Sequence, residues 1–280
     1  METKIEAIRI DMSDYERAGE GANGASYNHK TDPNIMLKLY FPGKVEQPLS
    51  EMLLSRKVYA AGIPTPEPGD YVTDGERYGI RFRRIVGKTS YARACGDHPE
   101  LVPQYAEEFA MMCRQLHSTH VDTSQFENVK DRLCYLLEDN PFYTRAEKDK
   151  LIKFIQDAPD TDTAIHGDLQ FGNAIFAGSD RYFIDLGDFC YGYPLFDVGM
   201  VYLTSVLDQS DFLVQAFHMD HKTARNFWNH FAPVYYGKDR PMKDIEEEII
   251  PYAGLKTIII ERDTKCPMTE YRKALASILK

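Results

Sequence analysis

Apolar and polar residues alternate through the first third of the chain and recur at helical spacing through most of the rest. Tyr15–Glu20 and Ala25–Lys30 read as strands on either side of a glycine-rich loop, and Asn34–Phe41 is apolar on both sides of a single lysine, Lys38. Pro48 then opens a helix over Leu49–Ala61 that stops at Gly62, with proline in the first turn and glycine just past the end. Beyond the Pro64/Pro66/Pro68 stretch, Tyr71-Val72 and Tyr78–Ile85 flank the turn Asp74-Gly75. Within the latter strand Tyr78, Ile80 and Phe82 alternate with Gly79, Arg81 and Arg83. After residue 99 the period lengthens: Leu101, Tyr105, Phe109, Met112 and Leu116 fall on one helical face. Thr144-Arg145-Ala146-Glu147 is a capping box opening a helix that carries Leu151, Ile152 and Ile155. Extended structure returns briefly at Thr163–Ile165, Ala174–Phe176 and Tyr182–Leu186, and the pattern after Phe196 is helical. The layout predicts a small sheet-rich lobe over residues 1–86 and a larger helical lobe, with one short β insertion, over 87–280.

Composition narrows the classes. The 43 % hydrophobic and 12 % aromatic content of the 280 residues supplies a core, which excludes bulk disorder and a disulfide mini-scaffold. Acidic side chains outnumber basic ones 43 to 33, for a net charge of −10, and this argues against a nucleic-acid partner, whose phosphates need clustered cations. The five cysteines are odd in number and scattered, without a C-x-x-C pair, as expected of reduced thiols in a cytoplasmic protein. Met1-Glu2-Thr3-Lys4 lacks the apolar core of a secretory signal, and no apolar run approaches the ~18 residues of a membrane span. The greasiest patch, Ile258–Ile260, is flanked by Lys256 and Glu261. A cytoplasmic protein with no membrane partner is expected.

Chemistry enters with four features in order. Gly19-Glu20-Gly21-Ala22-Asn23-Gly24 fits G-x-G-x-x-G, a pattern shared by plain turns and phosphate-binding loops. The dinucleotide-binding version requires a helix after Gly24, whereas Ala25–Lys30 reads as a strand. A glycine loop between two strands suits a flap whose backbone N–H groups lie over nucleotide phosphates. Lys38, inside so apolar a strand, must reach water or find a partner. It is either an edge lysine facing solvent or a phosphate-binding lysine held by a carboxylate of the next helix, where Glu51 is placed. His166-Gly167-Asp168-Leu169-Gln170-Phe171-Gly172-Asn173 gives H-x-D-x-x-x-x-N, and Asp185-Leu186-Gly187 gives D-x-G at the end of an apolar strand. Phosphoryl transfer needs one carboxylate to accept the proton of the incoming hydroxyl, and an amide and a second carboxylate to hold Mg²⁺ on the phosphates. Turn capping by Asx side chains is the plainer explanation of the loop residues, but it leaves the order of the four features unexplained.

These motifs resemble those of the aminoglycoside phosphotransferase/choline kinase family, small-molecule kinases with a protein-kinase-like fold. Gln115-Leu116-His117, Gly62-Ile63-Pro64 and Asp197 are similar to further segments of that family. The resemblance implies an α+β, two-lobed architecture: a small antiparallel β N-lobe with one helix, and a larger, mostly helical C-lobe. It implies ATP and Mg²⁺ as cofactors, with Gly19, Gly21, Gly24, Lys38 and Glu51 on the nucleotide, Asp168 as catalytic base, and Asn173 and Asp185 as Mg²⁺ ligands. Gln170, Phe171 and Ser26 depart from residues frequent in such enzymes without removing a catalytic group. Asp197 follows Asp185 after only 12 positions and no A-P-E segment occurs, which favours a small-molecule acceptor over a polypeptide. That acceptor is an aminoglycoside, a choline-like alcohol, an amino acid or a sugar; the competing reading is a kinase-fold module that binds nucleotide without transferring phosphate. The aromatic residues near the C-terminus, Phe227 and Phe231 among them, fit core packing better than a cage for a quaternary ammonium, and Glu246–Glu248 reads as a solvated helix face.

Overall fold

The computed structural model describes residues 5–21 and 23–280; Met1–Lys4 and Ala22, the latter within the glycine motif, lie outside the described residues. The chain forms two compact units, one of Met1–Thr89 with Ile175–Gly187, the other of Ser90–Ala174 with Asp188–Lys280.

The first unit is built on a six-stranded sheet. Its strands are β1 (Ile8–Arg9), β2 (Tyr15–Gly21), β3 (Gly24–His29), β4 (Ile35–Tyr40), β5 (Pro68–Thr73) and β6 (Tyr78–Arg83), in the order β1-β5-β6-β4-β3-β2. All neighbours are antiparallel except β1, which runs parallel to β5 with Ile8 opposite Val72. The helix α1 (Glu46–Ala60) starts two residues before the predicted Pro48, which still falls in the first turn, where a missing N–H is harmless.

Strand β4 explains why its sequence is apolar on both sides of Lys38. Alternate side chains point to opposite faces of a sheet. Leu37 and Leu39 pack with Ile10, Tyr15 and Val72 on one face. Tyr40 packs with Met52 of α1, Tyr71 and Ile80 on the other. Lys38 shares the face of Tyr40, the one that α1 covers, so its charge is aimed at the helix. The buried positions of α1 include Glu51, Ser55 and Val58, spaced as one helical stripe. The predicted elements therefore place Lys38 and Glu51 opposite one another.

After β7 (Thr89–Ser90) the second unit follows as α2 (Tyr91–Asp97), α3 (Val102–Leu116), α4 (Val129–Glu138), α5 (Arg145–Asp157) and the two-residue strand β8 (Ala164–Ile165). The strands β9 (Ala174–Ala177) and β10 (Asp180–Phe183) are neighbours in a small sheet. The chain then runs through β11 (Cys190–Tyr191), which pairs antiparallel with β8, into α6 (Leu195–Tyr202), α7 (Asp211–Phe217), α8 (His221–Tyr236), α9 (Met242–Thr264) and α10 (Ala276–Leu279). The capping box at Thr144 is formed, with both reciprocal hydrogen bonds present. The buried stripe of α3 is Val102, Ala106, Phe109, Cys113 and Leu116, so Leu101, which precedes the helix, is exposed instead of sharing the predicted face. Phe109 meets the rings of Phe227 and Phe231, both fully buried, at 5.6 and 5.8 Å. Phe227 and Phe231 are thus core, as their spacing predicts. The glutamates of α9 face arginine and lysine partners: Glu246 pairs with Arg225, Glu247 with Lys243 and Glu248 with Arg240. Among the described residues, no helix is long and apolar enough to cross a membrane.

Candidate active site

In the first unit, β2 and β3 form a hairpin in which Gly19 lies opposite Ser26 and Gly21 opposite Gly24. A strand, not a helix, follows Gly24, so the dinucleotide-binding version of the glycine motif is excluded. Gly24 is required by packing: a Cβ there would lie 2.2 Å from the carbonyl oxygen of Leu39 on the neighbouring strand. Asn23 is tied back by the Lys44 ammonium on its side-chain oxygen and by the Phe41 N–H on its carbonyl. The hairpin borders a cavity of about 530 Å³, within the range usual for small-molecule sites. Gly19, Gly21, Gly24, Lys38, Glu51 and Asp185 all line it, together with apolar Met36, Phe82 and Ile85. One cavity of this unit therefore offers apolar walls for a ring and a charged floor.

Lys38 Nζ donates to Glu51 Oε1 and to Asp185 Oδ1, each at 2.7 Å. Burial opposes the charge of Lys38, but the carboxylates of Asp185 and Glu51 outweigh it and hold the ammonium above the ordinary lysine range. Of the two readings open to this lysine, the solvent-facing one is thus replaced by the partnered one. The hydroxyl of Tyr40 donates to Glu51 Oε2, so each oxygen of Glu51 has its own partner. Burial, reinforced by the charge of Glu51, pushes the Tyr40 phenol well above its ordinary value and keeps it a donor.

Asp185 is aimed by its backbone. Its φ of +60° is left-handed, a region that non-glycine residues enter at a cost of order 1–3 kcal/mol and that Asp tolerates better than most. The hairpin before it is fastened within the same unit, where the Phe183 N–H donates to the Pro64 carbonyl at 2.8 Å. The half-exposed side chain lines the cavity.

In the second unit the loop between β8 and β9 carries Asp168 and Asn173. Asn173 Nδ2 donates to Asp168 Oδ2 at 2.8 Å and to the Asp168 carbonyl at 3.0 Å, which fixes the carboxylate and leaves the amide oxygen as a possible cation ligand. The N–H groups of His166 and Gly167 donate to Asp197 Oδ2 and Oδ1 at 2.6 and 2.8 Å. Asp197 is fully buried; burial opposes its ionisation, but the hydrogen bond from His117 and the nearby charges of His117 and Lys256 hold its carboxyl below the ordinary value. His117 in turn meets Tyr235 of α8, Nδ1 to hydroxyl, at 2.7 Å. Asp188 ends a short 3-10 turn, where Arg132 donates to its backbone carbonyl and lies 3.6 Å from its carboxylate.

Among the described residues, no three or more His, Cys, Asp and Glu side chains group as a metal cage. The Asp185 carboxylate in the first unit and the Asn173 amide oxygen in the second are each hard oxygen donors, the type that Mg²⁺ prefers. Tyr40, which bonds Glu51, Tyr235, which bonds His117, and Lys256, which bonds the Gly167 carbonyl, carry no motif. The one available signal was polarity inside apolar segments, and for Lys256 it was masked by the neighbouring isoleucines.

The sheet with its single helix, the helical unit and the order of the motifs define a protein-kinase-like fold. Solved structures agree. A thermostable mutant of aminoglycoside phosphotransferase APH(4)-Ia in ternary complex with AMP-PNP and hygromycin B matches at TM-score 0.63 and 15 % identity, covering 95 % of this chain and 93 % of that one. The amicoumacin kinase hAmiN, in complex with AMP-PNP, Ca²⁺ and Ami, matches at TM-score 0.56 and 15 % identity, covering 98 % and 89 %. A choline/ethanolamine kinase family protein from Mesorhizobium loti matches at 0.54 and 14 %, covering 95 % and 85 %. No protein of curated function matches the chain. The model of the phosphotransferase enzyme family matches residues 14–228, and the chain belongs to that family. It is a small-molecule kinase that acts on hydroxyl groups.

Proposed function

We propose that the protein transfers the γ-phosphate of ATP, with Mg²⁺, to a hydroxyl of an aminoglycoside, a choline-like alcohol, an amino acid or a sugar. The observation that carries this reading is Lys38, held at 2.7 Å by both Glu51 and Asp185 in the cavity bordered by the glycine hairpin. The unit holding that cavity is the nucleotide-binding part and the helical unit the acceptor-binding part. AMP-PNP in the similar structures supports ATP as donor. The five free cysteines fit a reducing, cytoplasmic setting.

In this reading Lys38 neutralises phosphate oxygens, and the N–H groups of the Gly19–Gly24 hairpin lie over them. Asp168, oriented by Asn173, accepts the proton of the acceptor hydroxyl as its oxygen bonds to the γ-phosphorus. The bond from that phosphorus to the bridging oxygen breaks, and ADP leaves. Asn173 and Asp185 would hold Mg²⁺, which supplies charge neutralisation on the phosphates.

The test is ADP formation with Mg²⁺, ATP and a panel of the four acceptor classes. Wild type is expected to turn over with at least one class, and Asp168→Ala to lose orders of magnitude. Nucleotide binding with no transfer to any class would return the non-catalytic module instead.

A further inference from the structure

Lys256 belongs to α9, beyond the residues 14–228 matched by the family model, and is only 3 % exposed. A buried ammonium is costly unless partnered. Its Nζ donates to the carbonyl oxygen of Gly167 at 2.8 Å. The N–H of the same Gly167 donates to Asp197 Oδ1 at 2.8 Å, and that of His166 to Asp197 Oδ2 at 2.6 Å. Both backbone polar groups of the residue just before Asp168 are therefore taken by buried charges of opposite sign, on two different helices.

The backbone there has little freedom to begin with. Gly167 sits at φ +87°, and a Cβ on it would lie 2.0 Å from the carbonyl oxygen of Asp188. What remains adjustable is rotation of the Gly167–Asp168 peptide, and that rotation would swing the Asp168 carboxylate. The Lys256 bond is the one that opposes it from the carbonyl side. A shift of about 1 Å in a reacting group can lower a rate by about 100-fold.

We propose that Lys256 is a positioning residue for phosphoryl transfer, fixing the Gly167–Asp168 peptide so that the base meets the acceptor hydroxyl. This rests on the reading of Asp168 as base. A lysine that served only the packing of α9 would affect stability, whereas a positioning lysine acts on kcat at unchanged nucleotide affinity.

The test compares full-length wild type, Lys256→Met and Thr257→Val, the last removing a buried hydroxyl that bonds Tyr143 at 2.9 Å one residue along α9. The assay uses ATP, Mg²⁺ and the panel member that wild type phosphorylates, with binding read by a fluorescent ADP analogue. Lys256→Met is expected to keep its nucleotide affinity and KM for ATP within about twofold while kcat falls about tenfold or more. Thr257→Val is expected to melt earlier and keep kcat. If Lys256→Met does not fold, Lys256→Gln takes its place with the same expectation. Wild-type kcat in the Lys256 variant, or a loss no larger than its unfolded fraction, overturns the role of Lys256 and leaves the transferase reading standing. Wild type that binds the analogue but phosphorylates no acceptor overturns the transferase reading and this role with it.

Discussion

Lys38 and Asp185, 147 positions apart in the chain, are joined by an ion pair of 2.7 Å, and Glu51 holds the same ammonium at the same distance. Lys38 therefore stands between a buried carboxylate fixed on a helix and a half-exposed one aimed by a left-handed backbone. Removing the charge of Glu51 leaves Asp185 to hold the lysine alone, drawn away from incoming phosphates. Glu51→Gln is expected to weaken nucleotide binding roughly tenfold, about 1.4 kcal/mol, and Lys38→Met more. Titration with a fluorescent ADP analogue checks this, and unchanged affinity in both variants contradicts the assigned roles.

Tyr40 is expected to be energetically coupled to Glu51. Tyr40→Phe leaves Glu51 Oε2 without the phenolic donor and should cost about 1–3 kcal/mol of stability. In a double-mutant cycle with Glu51→Gln, the two losses should fall short of additive by 0.5 kcal/mol or more, roughly the threshold for contacting pairs. Chemical denaturation of the four proteins measures it; additive losses deny the coupling.

Two glycines with positive φ should respond differently to alanine. Gly178, in the turn of the β9–β10 hairpin at φ +58°, has nothing near its missing Cβ, so Gly178→Ala should cost only about 1–2 kcal/mol of backbone strain. Gly167→Ala adds a collision with Asp188 and should be worse by several kcal/mol, or fail to fold. Paired thermal melts decide, and equal losses contradict the tight packing of the loop.

Asp197 sets an acid limit. Its carboxyl is held below the ordinary value in the folded state, so the unfolded state takes up the proton first as pH falls. Its stabilising contribution is complete above about pH 4 and is lost as pH drops below that and through the folded-state value. Asp197→Asn should therefore flatten stability against pH in that acid window, at lower stability near neutrality. Denaturation midpoints of both proteins across the window check the sign.

The readable part of the site was carried by side chains whose type conflicts with their surroundings. Lys38 stood out within apolar β4, and Glu51 offered itself as a partner by its place in the first turns of the next helix; that α1 covers the face Lys38 shares with Tyr40 is seen only in the fold. Asp168, Asn173 and Asp185 were singled out because phosphoryl transfer calls for those types in that order. Lys256 and Glu261 were read merely as the charged flanks of an isoleucine patch, yet both are buried. Their partners, Gly167 for one and Asn140, Met268 and Arg272 for the other, are distant or irregular in sequence, so no local pattern marks them. The link from Tyr235 to His117 spans 118 positions and depends on α8 packing beside α3, which periodicity alone does not supply. Strand β1 escaped notice because two residues are too few to alternate.

The most direct measurement of the central claim is phosphorus NMR of the products formed from ATP, Mg²⁺ and the acceptor panel. Wild type should yield ADP together with a new phosphomonoester resonance from one acceptor, and Asp168→Asn should yield neither at a comparable rate. Inorganic phosphate as the sole product of wild type, or a phosphomonoester formed equally fast by Asp168→Asn, would contradict it.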